Sequence, residues 1–164
     1  MINNQTVLAI IPARSDSKRC PNKNFLPYKG KPLINWALET AKESRYIDTV
    51  KLSLDADRPP ELCTDTAGSE DVMRYHQAQT PHDWIVLLQP TSPNRTVEDI
   101  DACIERAQLG YGCISTCRDV TNGAVYICTA DWLARHSFRQ GGLMKYEMPE
   151  ERSLDIDEPD DFLK

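Results

Sequence analysis

The chain has 164 residues, 27% of them charged and 40% hydrophobic, with a formal net charge of −6. That length supports one domain with its own core, and the acidic balance argues against general nucleic-acid binding. No apolar run approaches the roughly 18–20 residues that cross a bilayer, and the run Val7–Ile11 is too short and lacks the basic leader of a signal peptide; a cytoplasmic protein that engages neither nucleic acid nor membrane is expected.

In chain order, Thr6–Ala13 reads as a fully buried strand, closed by Pro12-Ala13-Arg14. Residues 14–31 then carry Arg14, Lys18, Arg19, Lys23, Lys29 and Lys31 against Asp16 alone, a net +5, which leaves −11 for the remainder. Lys29-Gly30-Lys31-Pro32 is a turn. Leu33, Ile34, Ala37, Leu38 and Ala41 recur at helical spacing and predict a helix through Glu43. Thr49–Leu54 alternates apolar and polar residues as a strand does. Arg58-Pro59-Pro60-Glu61 is loop. Ser69 reads as an N-cap with Glu70 and Asp71 in the first turn of a helix to about Gln77. Trp84–Leu88 is a second buried strand, ended by Gln89-Pro90-Thr91-Ser92-Pro93. Thr96 and Asp99 resemble a capping box before a helix marked by Ile100, Cys103, Ile104 and Ala107. Gly112–Thr116 and Ala124–Cys128 read as strands, Asp131–His136 as a short helix, and Pro159 as the opening of a last helix to Leu163. Alternating strands and helices predict an α/β fold with a mainly parallel sheet covered on both faces.

The six cysteines form no C-x-x-C pair and no zinc spacing, and His76, His82 and His136 are scattered. The thiols are expected to be reduced and mostly buried; Cys20, inside the basic loop, is the one placed to ionise more easily. A strand ending in a loop dense with cations and small polar donors is suited to an anionic ligand, because ligands of open α/β sheets bind beyond the carboxyl ends of strands. The loop matches neither G-x-x-x-x-G-K-[ST] nor G-x-G-x-x-G; no glycine precedes Lys29. Near the other end, Asp155-Ile156-Asp157 places two carboxylates on one face if the segment is extended. Such a pair repels unless a cation lies between, and Mg²⁺ takes one or two carboxylates plus phosphates and water. An acidic solvated tail is the competing reading, since residues 147–164 carry eight acidic residues against Arg152 and Lys164.

Ala13-Arg14-x-x-Ser17-Lys18-x-x-Pro21-x-Lys23-Asn24 resembles the signature of the acylneuraminate cytidylyltransferases, the CMP-sialic acid synthetases. Four further blocks resemble the family in the same order: Arg58-Pro59-Pro60-Glu61-Leu62 with Asp65-Thr66-Ala67, Leu87 to Arg95, Asn122 to Ile127, and Ser153 to Asp157. The Kdo cytidylyltransferases share the opening Pro-Ala-Arg but continue differently. The resemblance implies a Rossmann-like three-layer αβα nucleotidyltransferase that moves CMP from CTP to a nonulosonic acid, with Mg²⁺ as cofactor and a homodimer as assembly. It implies that Arg14, Ser17, Lys18, Lys23 and Asn24 hold the triphosphate, with Arg14 and Lys23 catalytic. Arg58 and Ser69 would meet the cytosine, Gln89 the junction of nucleotide and sugar, Tyr126 the sugar, and Asp155 and Asp157 the metal.

The chain departs from the family in four places. Ser15-Asp16 stands where many members have Gly-Gly, and Ser53-Leu54-Asp55 stands for Ser-Thr-Asp. Arg58 follows Asp57 at once, where members carry a helix-containing stretch. Between the strand ending near Thr116 and Asn122, only Cys117 to Thr121 replace a long segment that in the family supplies dimer contacts and basic residues for the sugar carboxylate. That loss keeps open a second reading, a homologue that binds CTP or CMP without turnover. A dinucleotide-dependent oxidoreductase is a third, and it lacks the glycine fingerprint.

Overall fold

The computed structural model describes residues 1–15, 18–64 and 66–164; Asp16, Ser17 and Asp65 lie outside the described residues. Its centre is a six-stranded sheet. β1 (Val7–Pro12) is flanked by β4 (Thr49–Ser53) and β5 (Trp84–Leu87), and the order continues through β7 (Val120–Thr129) and β6 (Gly112–Cys117) to β8 (Met144–Glu147). β2 (Pro27–Tyr28) and β3 (Lys31–Pro32) form a separate two-stranded pair around the predicted turn. Five strands of the large sheet run parallel and β7 runs against them.

The helices are α1 (Leu33–Glu43), α2 (Ser69–Gln79), α3 (Val97–Ala107) and α4 (Ala130–Arg135). Alternation along β1 sorts them into layers. Val7, Ala9 and Ile11 pack with Ile34 and Ala37 of α1 and with Ile100, Cys103 and Ile104 of α3. Leu8 and Ile10 face the other way, toward Val72 and Met73 of α2 and Trp132 and Leu133 of α4. β1 is therefore apolar on both faces because it is covered on both, and the three-layer αβα fold follows.

Most predicted elements lie within a residue or two of their observed bounds. Thr96 and Asp99 form the capping box: Thr96 N donates to Asp99 Oδ2 at 3.0 Å and Asp99 N to Thr96 Oγ1 at 3.3 Å. Ser69 is not the N-cap of α2. Gly68, in extended conformation, takes that place, its carbonyl accepts from Asp71 N and Val72 N, and Ser69 is the first helical residue. The strand β8 has no counterpart in the predicted elements. It is a half-exposed edge of alternating residues, Met144-Lys145-Tyr146-Glu147, whose apolar content is too low to stand out.

The shortened segment after β6 is a built turn. Arg118 and Asp119, with φ of 52° and 62°, form the two-residue connection of a β6–β7 hairpin, the pattern that matches strand twist. Glu147 of β8 caps it, accepting from Arg118 N, Asp119 N and Thr116 Oγ1. At the other end of the pair Gly112 is required by contact: a Cβ there would come within 2.2 Å of Ile127 O.

One buried polar network ties α3 to the C-terminal segment. Asp99, 0% exposed, accepts from Arg152 Nε and Nη2 at 3.0 Å each, from Tyr146 OH at 2.9 Å and from its own cap. Burial pushes its carboxyl pKa up, but these donors outweigh burial and hold it below the usual carboxylate value. A depressed pKa contributes stability above the unfolded value of about 3.9, lost as pH falls through the folded one. Asp99→Ala should lower the unfolding free energy by about 2–3 kcal/mol, somewhat less than for a fully buried pair because Arg152 is one-third exposed, and should flatten the acid limb of the stability curve. Urea melts between pH 3 and 7 check both; a loss below about 0.5 kcal/mol would remove the network from the fold's supports.

Candidate functional site

The crossover from β4 to β5 passes over β1, so β1 and β5 are neighbours whose connections leave in opposite directions. Open α/β sheets bind ligands in the crevice outside the carboxyl ends of such strands. A cavity of about 200 Å³ opens there, lined by Pro12, Arg14, Lys23, Asn24, Arg58, Ser69, Gln89 and Thr91 among others. Six of the sequence-predicted residues are thus brought to one hollow from positions as far apart as 14 and 89.

The basic loop is shaped by its own polar groups. Asn22, with φ of 57°, turns the chain, and Asn22 N donates to Ser15 O at 3.2 Å. Asn24, buried, donates its side-chain amide to the Arg14 carbonyl at 3.0 Å. Asn24 therefore holds the loop's shape while lining the cavity. Ser15 donates from both N and Oγ to Asp55, whose carboxyl pKa is lowered first by that hydroxyl and further by Arg58 and Arg14 nearby. Asp55, standing where the family pattern has its own Asp, anchors the start of the basic loop from the turn just after β4. Lys18 is exposed on the loop and is not among the residues lining the cavity. Ser17 lies outside the described residues.

Arg58 spends Nη1 on Leu62 O at 3.1 Å and Nη2 on Ser53 O at 3.2 Å. Its Nε is buried with no hydrogen-bond partner among the described residues, and burial draws its pKa down. An unpaired buried donor at a cavity wall is costly without an acceptor, so a polar ligand edge is the natural partner. Ser69 stands at the amino end of α2, where helix N–H groups lack internal partners.

Gln89 lines this cavity and also a second one, lined by Glu70, Thr121, Tyr126, Phe138 and Arg139 among others. Gly123 adopts a φ of 78°, in the left-handed region that favours glycine, and lies beside Gln89 Oε1. Arg95, which the sequence reading left without a role, fixes this corner. It is buried, donates from Nη1 to Gln89 O at 3.2 Å and to Ala124 O at 2.6 Å, and burial lowers its pKa only to about 10, so it stays charged. Tyr126 has its phenol pushed above the usual value, mainly by burial and then by Asp155 and Glu70.

The carboxylate pair reaches the basic loop. Ile156 is buried beside Tyr28 and Leu33, and its N donates to Thr91 O at 2.8 Å. Asp155 and Asp157 flank it, both accessible to solvent, as period-2 alternation requires. Lys23 Nζ, on a side chain only 13% exposed, lies 3.7 Å from Asp157 Oδ1. Although Asp155 opens to solvent, the protein packed around it raises its carboxyl pKa, and Asp157 raises it further against the pull of Thr91 and Lys23. No group of three or more acidic, histidine or cysteine side chains stands in position to enclose a metal among the described residues. Two carboxylates alone fit a hard divalent cation that completes its shell from phosphate oxygens and water.

The domain is a Rossmann-like αβα fold with a mainly parallel sheet, and the basic loop stands at its switch point. The cytidylyltransferase family pattern matches residues 8–69. An N-acylneuraminate cytidylyltransferase from Streptococcus agalactiae is 28% identical over 212 aligned residues, covering 95% of this chain and 51% of that protein. A CMP-N,N'-diacetyllegionaminic acid synthase from Legionella pneumophila is 29% identical over 163 residues, covering 87% and 67%. The structure of a CMP:2-keto-3-deoxy-manno-octonic acid synthetase complexed with CTP superposes with a TM-score of 0.71 at 15% identity, covering 94% of each chain. The resemblance to the acylneuraminate cytidylyltransferases is borne out by these matches. The chain spans about half the length of the streptococcal relative.

If the two carboxylates share one face, Asp157→Asn should lower the pH at which Asp155 titrates, because a neighbouring negative charge disfavours ionisation. Carboxyl-carbon NMR titration reads this directly; an unchanged or higher midpoint would separate the two groups.

Proposed function

We propose that this chain transfers CMP from CTP to the anomeric hydroxyl of a nonulosonic acid, releasing pyrophosphate. The observation that carries the reading is the contact of Lys23, which lines the cavity, with Asp157, which joins the basic loop to the carboxylate pair. The names of the relatives support the substrate class, and the five motif blocks support the reaction.

In this reading the cytosine lies against Arg58 and the amino end of α2 at Ser69. The triphosphate runs along Arg14, Lys23 and the loop that Asn24 holds, with Ser17 and Lys18 on the same loop. Charge that grows on the leaving pyrophosphate is met by Arg14 and Lys23, so catalysis is chiefly positioning and electrostatic stabilisation. The attacking hydroxyl approaches from the Gln89 and Tyr126 side, and its proton leaves to solvent. Asp155 and Asp157 would hold Mg²⁺, or another hard divalent ion, which when bound offsets phosphate charge and acidifies the hydroxyl. Nothing in the chemistry calls for a membrane or a nucleic acid, and a cytoplasmic setting, where CTP is found, suits the reaction.

One observation favours the alternative of binding without turnover: the connection after β6 is only Arg118-Asp119, where the family resemblance implies the segment that serves the sugar. Pyrophosphate release and CTP calorimetry separate the two. Transfer predicts release that needs CTP, a divalent ion and a nonulosonic acid together. Lys23→Ala should slow release by orders of magnitude, and a rate within twofold of the parent would overturn the triphosphate assignment. Replacing Asp155 and Asp157 together by Asn should abolish the dependence on Mg²⁺ or Mn²⁺. CTP binding with no release for any acid offered would select the non-catalytic reading.

A further inference from the structure

The cavity beyond Gln89 has one cationic side chain among the described residues that line it, Arg139. Arg139 lies on the single 3-10 turn Phe138–Gln140 that follows α4. Hydrogen bonds and ring packing hold that turn in place. Ser137 caps it, its Oγ accepting from Arg139 N at 3.3 Å while Ser137 N donates to Gln140 Oε1 at 3.2 Å. Glu70, in the first turn of α2, accepts from Ser137 Oγ at 3.2 Å and Phe138 N at 3.3 Å. The Phe138 ring packs 5.0 Å from Tyr126 and 5.4 Å from Trp132.

The charges around the cavity are unequal in their commitments. Glu70, the acidic side chain lining it, already has those two donors and Arg74 Nη2 at 3.8 Å. Arg139 has no ion-pair partner among the described residues. Arg118, on the β6–β7 turn, is paired with Glu150. A guanidinium presents a planar fork that matches a carboxylate in two parallel hydrogen bonds. Tyr126 beside it offers apolar surface to a sugar ring, and Gln89 connects the space to the nucleotide cavity.

We propose that Arg139 recognises the carboxylate of the sugar-acid acceptor, within the same chain that binds the nucleotide. The assignment rests on the transferase reading above. It supplies a cation from the turn after α4, whereas Arg118 of the β6–β7 turn is committed to Glu150.

The test is steady-state pyrophosphate release with Arg139→Ala and Arg139→Lys, using N-acetylneuraminic acid, N,N'-diacetyllegionaminic acid and 2-keto-3-deoxy-manno-octonic acid as acceptors. Arg139 is exposed, so its removal should leave the melting temperature in place. Losing a bidentate charged contact should raise KM for the acid about 10- to 100-fold, with KM for CTP within twofold, and Lys should restore part of the loss. If the parent turns over an acid and Arg139→Ala keeps its KM within twofold, or raises both KM values alike, the carboxylate assignment is overturned while transfer stands. If the parent binds CTP but releases no pyrophosphate with any of the three acids, the transfer reading fails and this inference with it.

Discussion

The site depends on where Ile156 is buried. The side chain fills a niche against Tyr28 and Leu33, and its backbone N–H is held by the Thr91 carbonyl. Burying one isoleucine contributes about 2 kcal/mol, and here that burial fixes far more than itself. It draws a strongly acidic C-terminal segment back to the carboxyl edge of the sheet, beside the most basic stretch of the chain. The residues on either side of Ile156 open to solvent, and those residues are Asp155 and Asp157. Without the apolar anchor, eight acidic side chains near the end of an acidic protein would be expected to stay solvated. With it, one of them, Asp157, comes within 3.7 Å of Lys23, a residue that lines the cavity.

The polar networks serve the same placement. Asp99, Arg152 and Tyr146 lock the segment preceding Ser153 against α3. Arg95 ties the end of β5 to β7 at Ala124, so Gln89 is set at the meeting of two cavities by buried charge. Each of these arginines is held mostly by backbone carbonyls or one buried carboxylate, an arrangement that fixes loop geometry more than it adds stability.

Much of this was legible from the sequence, and for identifiable reasons. β1 and β5 are continuous apolar runs because helices cover both faces, and α1 and α3 have clean apolar stripes. The loop at 14–24 and the Asp155–Asp157 pair announce themselves by charge and spacing. What stayed hidden needed tertiary context. β8 is a polar edge strand with a weak pattern. The start of α2 shifted by one residue because Gly68 adopts the extended cap conformation that a serine was expected to hold. The short stretch at Cys117–Thr121 reads as a cut, and only the positive φ values of Arg118 and Asp119, with Glu147 closing over them, make it a turn. Asn24 reads as a phosphate ligand, yet its amide is bound to the Arg14 carbonyl. The second cavity, with Phe138 and Arg139, joins residues that no local motif connects.

The central claim is that a nucleotide binds at the carboxyl edge of β1 and β5, between the basic loop and the acidic pair. Backbone amide NMR shifts on adding CTP with Mg²⁺ test it most directly. The largest changes should fall on residues 13–24, 67–70, 89–91 and 155–157. The opposite end of the sheet carries a larger hollow, about 750 Å³, lined by Gln5, Asp83, Tyr111 and Trp132 among others. Changes gathered there, with the basic loop silent, would contradict the account.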